Sequence, residues 1–235
     1  MFRLPPLTPF VRQLLITLFA VFVLVAVAQN LLNIPVLRIF ALDTTDPSLA
    51  TAFQLFTYVL VVPPTAVLPF FISLLFIWLI LPPFEQRYGK ARVFQLTLLG
   101  TVCSGLLALL VGFLMPQYAA PLAGPAAITL AAMSAYAVLL PPHAEISFFG
   151  VVPMQSKHLL WVIVGISLLG FLTSLNATSL ASDLGAIGAG IAFVKLWMQR
   201  PPRRRTFSRK PGKPTKLHVV GRDEGSDRPG GGWLN

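Results

Sequence analysis

For chemistry inside its apolar stretches, this chain offers a few hydroxyls, one carboxylate and almost no imidazole. Ser104 and Ser134 lie within long apolar runs, and Asp183 is the only acidic residue inside one. A serine nucleophile needs a base in hydrogen-bond reach and donors aimed at the developing oxyanion. The histidines are His143, His158 and His218, each at the edge of an apolar run or beyond it. A carboxylate is a poor base for a hydroxyl, so a Ser–Asp pair is the weaker reading of these residues. Buried serines in apolar helices ordinarily bond to their own backbone or to a neighbouring helix. Asp183 follows Ser182 in "SLASDLGA", where a helix is expected to open, and the favoured role is capping of free amides. The alternative is partner or proton binding, because an ionisable group in lipid is costly and often functional. Cys103 stands alone, which excludes an internal disulfide and a cysteine cluster. No metal centre and no cofactor is expected.

The elements that must position these residues are membrane helices. The chain has 235 residues, 55% of them hydrophobic and 11% charged, more apolar surface than a soluble core of this size could hide. Several runs reach the roughly 18 residues that mark a span. They lack the strict alternation of a lipid-facing barrel, and helices satisfy their own backbone in lipid. The fold class is all-α, a polytopic bundle with six spans at about 10–32, 64–82, 91–115, 121–140, 158–175 and 180–198. The stretch from Asn33 to Pro63 is too broken for a span and too apolar for a solvated loop, so it is expected at the membrane edge. Ala26-Val27-Ala28 resembles a signal-peptide cleavage site, but the apolar run continues past it through Leu32. Cleavage there stays open as the lesser reading. Pro63, Pro64 and Pro69 predict a kinked or frayed start to the second span, suited to docking another helix, or simply a helix beginning at Pro64.

Charge sets the sidedness. With the amino terminus (residues 1–9) in the cytosol, all but Arg38 of the 18 basic residues fall on cytosolic segments. Both termini are therefore expected inside, and a bacterial inner membrane is the expected location. Residues 199–235 form a basic, Pro- and Gly-rich tail that cannot bury enough surface to fold alone. Arg203, Arg204, Arg205, Arg209 and Lys210 in this tail suit anionic lipid headgroups, at about 1 kcal/mol per basic residue near such a surface. Nucleic-acid binding is not expected, since no folded module accompanies the charge.

Three stretches in order resemble the rhomboid family of intramembrane serine proteases. "FEQRYGKARVF" is similar to the family's Glu-x-x-x-Gly turn, with Glu85 and Gly89 in place. "PPHAEISFFGVVPMQSKHLLW" is similar to its loop after the fourth span. "ASDLGAIGAGIAF" resembles its small-residue sixth helix, and "FQLFTYVL" the element before its second span. The resemblance covers about residues 50–198 of a membrane domain spanning 10–198. It implies a six-helix bundle whose fourth and sixth spans bring a catalytic pair together. Ala127, Ala131 and Ala135 on the fourth span, with Gly185 and Ala189 on the sixth, have the small-residue spacing that lets backbones approach.

The catalytic positions depart from the family. Its nucleophile lies in Gly-x-Ser-Gly, matched here by Gly124-Pro125-Ala126-Ala127, so Ala126 replaces the serine. Its base precedes Leu-Gly, where this chain has Asp183. Its second span carries His and Asn residues that help hold the oxyanion, whereas "VVPPTAVLPFFISLL" has neither, and its Trp-Arg pair is matched by Phe53-Gln54. All three histidines fall on the cytosolic side, away from Ala126 and Asp183. The expectation is a pseudoprotease that binds or stabilises transmembrane helices of other membrane proteins without cleaving them. The candidate client-binding residues are Phe53, Pro63, Pro64, Gly124, Ala126 and Asp183. Alternatives are a structural subunit of a larger membrane complex and an active protease with a non-standard site. Asn176-Ala177-Thr178 also fits a glycosylation sequon.

Overall fold

In a computed structural model, the described residues are 6–45, 49–140, 145–148 and 152–198. His143, His218 and the tail residues Arg203, Arg204, Arg205, Arg209 and Lys210 lie outside them. In chain order the helices are α1 (Pro9–Asn30), α2 (Val36–Phe40), α3 (Leu49–Thr57), α4 (Val67–Tyr88), α5 (Lys90–Leu114), α6 (Ala126–Leu139), α7 (Ser156–Ser174) and α8 (Ala177–Phe193). A π turn, Val194–Met198, extends α8. Four helices are long and apolar enough to cross a membrane (α1, α4, α5 and α8 with its extension), and α6 and α7 are shorter apolar helices. The six spans expected from the sequence thus correspond to six apolar helices. Between α6 and α7 the chain forms a two-stranded antiparallel hairpin, β1 (Glu145–Phe148) with β2 (Val152–Gln155), pairing Glu145 with Gln155.

Glu85 fixes one end of the bundle. It sits in the last turn of α4 and accepts from the Thr8 hydroxyl, the Phe10 amide (3.2 Å) and the Val11 amide (3.2 Å). The first amides of a helix have no partner within it, so a carboxylate from a different helix caps α1, and its charge suits the positive end of the helix dipole. Four residues later Gly89, at φ 84° and ψ 159°, ends α4 and starts α5 in a conformation open essentially to glycine alone. Further along the same pair of helices, the Phe22 ring stacks on Phe70 with centroids 4.5 Å apart. This is the basic end of the bundle: Arg12, Arg87, Lys90, Arg92 and Lys195 all lie in the adjoining helix turns.

The opposite end is laced by backbone. Leu42 and Leu122 exchange two hydrogen bonds of 2.9 Å, and the Gly124 amide donates to the Tyr58 carbonyl at 2.9 Å. Thr44 donates through its hydroxyl to the Ala120 carbonyl at 3.1 Å, and the Thr178 hydroxyl accepts from the Ala120 amide at 3.2 Å. Gln54 is buried and braces the same region. Its side-chain oxygen accepts from the Asp43 amide at 3.2 Å, and its amide nitrogen donates to the Ile39 carbonyl at 3.3 Å. The Asn33–Pro63 stretch is therefore two short helices pinned by polar contacts, in keeping with a segment at the bundle's edge.

Helix α6 is the centre of the fold. Ala127, Ala131, Ala132, Ser134 and Ala135 are all buried, and such all-round burial suits a helix enclosed by others. A Cβ on Gly100 of α5 would lie 2.5 Å from the Ala131 methyl, and one on Gly190 of α8 would strike Ser134 and the Ala131 carbonyl. These contacts let three backbones approach closely. Gly185 departs from expectation: it meets Cys103 and Ser104 of α5 instead of the fourth span. The large apolar side chains left open, such as Leu24, Phe113, Trp161 and Leu172, cover the outer helices.

Two expected boundaries shift. The fourth span was expected from residue 121, but the helix starts at Ala126. Pro121 and Pro125 have no amide to donate, Gly124 holds φ 110°, and Leu122 pairs with Leu42 instead. The second span was expected to start kinked or at Pro64. Instead Pro63 and Pro64 precede α4, and Pro69 falls in its first turn, where an amide would have no helical partner anyway.

Candidate functional site

Helix α6 is short. Its 14 residues span about 21 Å at 1.5 Å each, short of the roughly 30 Å hydrocarbon thickness. The irregular segment before it is tied to Leu42 and Tyr58. Ala126 opens the helix with its side chain exposed, directly after the buried pair Gly124 and Pro125. Pro125 takes the N-cap position without a side-chain cap, and its carbonyl accepts from the Thr129 amide at 3.1 Å.

Asp183 lies on the stripe of α8 that faces this head. Helix α7 returns between α6 and α8, so those two run in the same direction. Gly190 meets α6 at Ala131, Ser134 and Ala135. Seven residues earlier on α8 is two turns back and within about 20° of the same face. That places Asp183 at the level of residues 124–128. Position 183 therefore stands at about the level where α6 begins, and the Ala126 that opens α6 carries a methyl.

The capping role expected for Asp183 is not what this geometry gives. Helix α8 starts at Ala177, six residues earlier, and Asn176 caps it, its side chain accepting from the Ser179 amide at 3.1 Å and the Thr178 hydroxyl at 2.7 Å. Asp183 is already inside the helix, half-buried, with Ser167 of α7 as its side-chain hydrogen-bonding neighbour.

The serines are committed elsewhere. Ser104 and Ser182, both buried, lie oxygen to oxygen at 2.6 Å. Ser134 donates to the Ala131 carbonyl at 3.1 Å. The Tyr58 hydroxyl donates to the Thr101 carbonyl at 3.0 Å, with Ser104 beside it. Sequence reasoning did not single out Tyr58, and it read Ser182 with Asp183 as a capping residue at a helix opening, whereas Ser182 lies inside α8. A tyrosine next to a span and a hydroxyl one position before the lone acid were the available signals.

The other expected residues divide. Pro63 lines a cleft of about 520 Å³ with Arg38, Asp43, Pro121 and Ala123, next to Gly124 and the α6 head. Phe53 instead turns to Phe40 of α2, with centroids 5.8 Å apart, and Pro64 is half-buried beside Pro63. Among the described residues the one imidazole is His158, exposed in the first turn of α7 at the basic end, where α6 finishes instead of begins.

The Rhomboid domain family model matches residues 49–200. The chain belongs to the rhomboid family. No curated protein matches its sequence. Rhomboids are normally serine proteases, and in this rhomboid the two positions that resemble the family's nucleophile and base are Ala126 and Asp183. The Glu85–Gly89 turn of this rhomboid lies where α4 hands over to α5, and its "SDLGA" segment is the part of α8 that faces α6 and α5.

Proposed function

We propose that this rhomboid does not cleave peptide bonds and instead binds transmembrane helices of other membrane proteins, holding or guiding them. What supports the reading is the α6 head, where the exposed Ala126 carries a methyl at the position that resembles the family's serine. An acyl transfer needs a nucleophile, a base and donors for the oxyanion. Ala126 can supply no nucleophile, Ser104 and Ser134 are spent on Ser182 and on a backbone carbonyl, and Ser167 is the neighbour of the Asp183 carboxylate itself. What remains is the helix head beside a cleft lined by Pro63, Pro121 and Ala123. A partner helix entering from lipid could pack there against Gly124, Ala126 and Asp183.

In this reading the basic end faces the cytosol, both termini lie on that side, and the basic tail rests on anionic lipid of a bacterial inner membrane. The test is photo-crosslinking in native membranes from residues 64 and 126. Capture of discrete membrane proteins at both positions, in varying ratio to the rhomboid, supports client binding. Co-purification in fixed stoichiometry with one set of subunits supports a structural role in a complex and counts against it.

A further inference from the structure

We infer that Asp183 anchors a lysine or arginine carried in the membrane-embedded part of a client helix, an inference that rests on the client-binding reading above. Among the described residues, Glu85 and Asp183 are carboxylates within apolar helices, and they are treated differently. Glu85 receives three donors from the chain itself, the Thr8 hydroxyl and the Phe10 and Val11 amides. Asp183 has Ser167 as its neighbour, although a carboxylate offers about four acceptor sites. It is not required as a cap, because Asn176 fills that place.

No cation of the described residues answers it. Arg12, Arg87, Lys90, Arg92, Lys157 in the first turn of α7, and Lys195 belong to the basic end, and Arg38 lies on α2. Among the described residues, Asp183 interacts with Ser167 and, at longer range, with the Tyr58 phenol, whose hydroxyl goes to Thr101. A carboxylate in lipid without a counter-charge is costly, and such groups pair with one another's opposites wherever they can. An ammonium or guanidinium arriving on a second helix is itself costly in lipid, and the pair offsets both penalties at once.

The geometry allows the approach. Asp183 is half-buried instead of sealed, and Leu184 beside it is exposed. Asp183 lies about 9 Å along α8 from Ala177, which sets the depth. The client's cation should stand about two turns in from the end that aligns with the start of α8.

The test uses the full-length chain in nanodiscs, with a photo-crosslinker at position 126. The probes are synthetic Leu/Ala helices of about twenty residues. One carries a single Lys two turns from the matching end, one carries Leu there, and one carries its Lys near the other end. The expected result is that the first helix is captured about tenfold more tightly, or better, than the other two. Asp183→Asn, which keeps the size and a bond to Ser167, should remove that preference while still capturing the Leu helix. Capture of the Leu helix shows that the variant is folded. Equal capture of all three by the unaltered protein, or a preference that survives Asp183→Asn, overturns the inference and leaves client docking standing. Failure to capture any helix at position 126 overturns the docking reading as well.

Discussion

Ser104 and Ser182 bind each other oxygen to oxygen at 2.6 Å across the α5–α8 contact, one helical turn from where Gly185 lets α8 settle against Cys103 and Ser104. One hydroxyl donates to the other in a region closed to solvent, so this contact fastens two helices.

A double-mutant cycle on this pair measures the fastening. Ser104→Ala and Ser182→Ala should each destabilise the bundle slightly, with a coupling energy of about 0.6 kcal/mol and not above about 2 kcal/mol, the range for hydrogen bonds between membrane helices. Unfolding in mixed detergent reads it. Additive effects would show that the two hydroxyls do not depend on each other.

Glu85→Ala should release the first turn of α1. The Thr8 hydroxyl and two amides lose their acceptor, and a lost cap costs about 1–2 kcal/mol. Hydrogen exchange at the Phe10 and Val11 amides should rise, while amides in the centre of α6 stay protected. Glu85→Gln keeps one acceptor oxygen and should fall between the two.

Two glycines should fail for different reasons. Gly190→Ala drives a methyl into Ser134 and the Ala131 carbonyl, and overpacking of this kind costs about 1–3 kcal/mol. Adding Ser134→Ala removes one of the colliding atoms and should recover part of that loss. Gly89→Ala meets nothing within 4 Å yet holds a backbone conformation that costs about 1–3 kcal/mol for other residues. Ser134→Ala should not help it. Unfolding of the four variants side by side separates collision from backbone strain.

Much of this architecture could be read from residues near one another in the chain. The apolar runs are set by the length of lipid they must cross, and the Glu85–Gly89 motif marks a real turn. What Glu85 holds could not be read locally, because its partner Thr8 lies 77 residues away. The start of α6 was misplaced for a related reason. Residues 121–140 are uniformly apolar, and only the pattern Pro121, Gly124, Pro125 hinted that their backbone bonds go to Leu42 and Tyr58. Hydropathy begins the sixth span near residue 180, which makes Asp183 look like a cap. Asn176, a better capping residue just upstream, had been noticed only as part of a sequon.

The pairing of Ala126 with Asp183 comes from matched motifs, and the parallel run of α6 and α8 puts the two positions at about the same level. Phe53 shows the limit of such matching. Its neighbour Gln54 became a buried brace for the Arg38–Asp43 segment, while Phe53 packs on Phe40 away from the cleft. A position inherited from a motif need not keep the motif's role once its side chain changes.

The most direct measurement returns a hydroxyl to the α6 head. Purified full-length protein and its Ala126→Ser variant, both in lipid bilayers, are incubated with a serine-directed fluorophosphonate and separately with a panel of single-span helical substrates. With a carboxylate at about that level and no imidazole at that end among the described residues, neither protein should be labelled and neither should cleave. Covalent labelling at residue 126, or turnover of any substrate by either protein, would contradict the central claim.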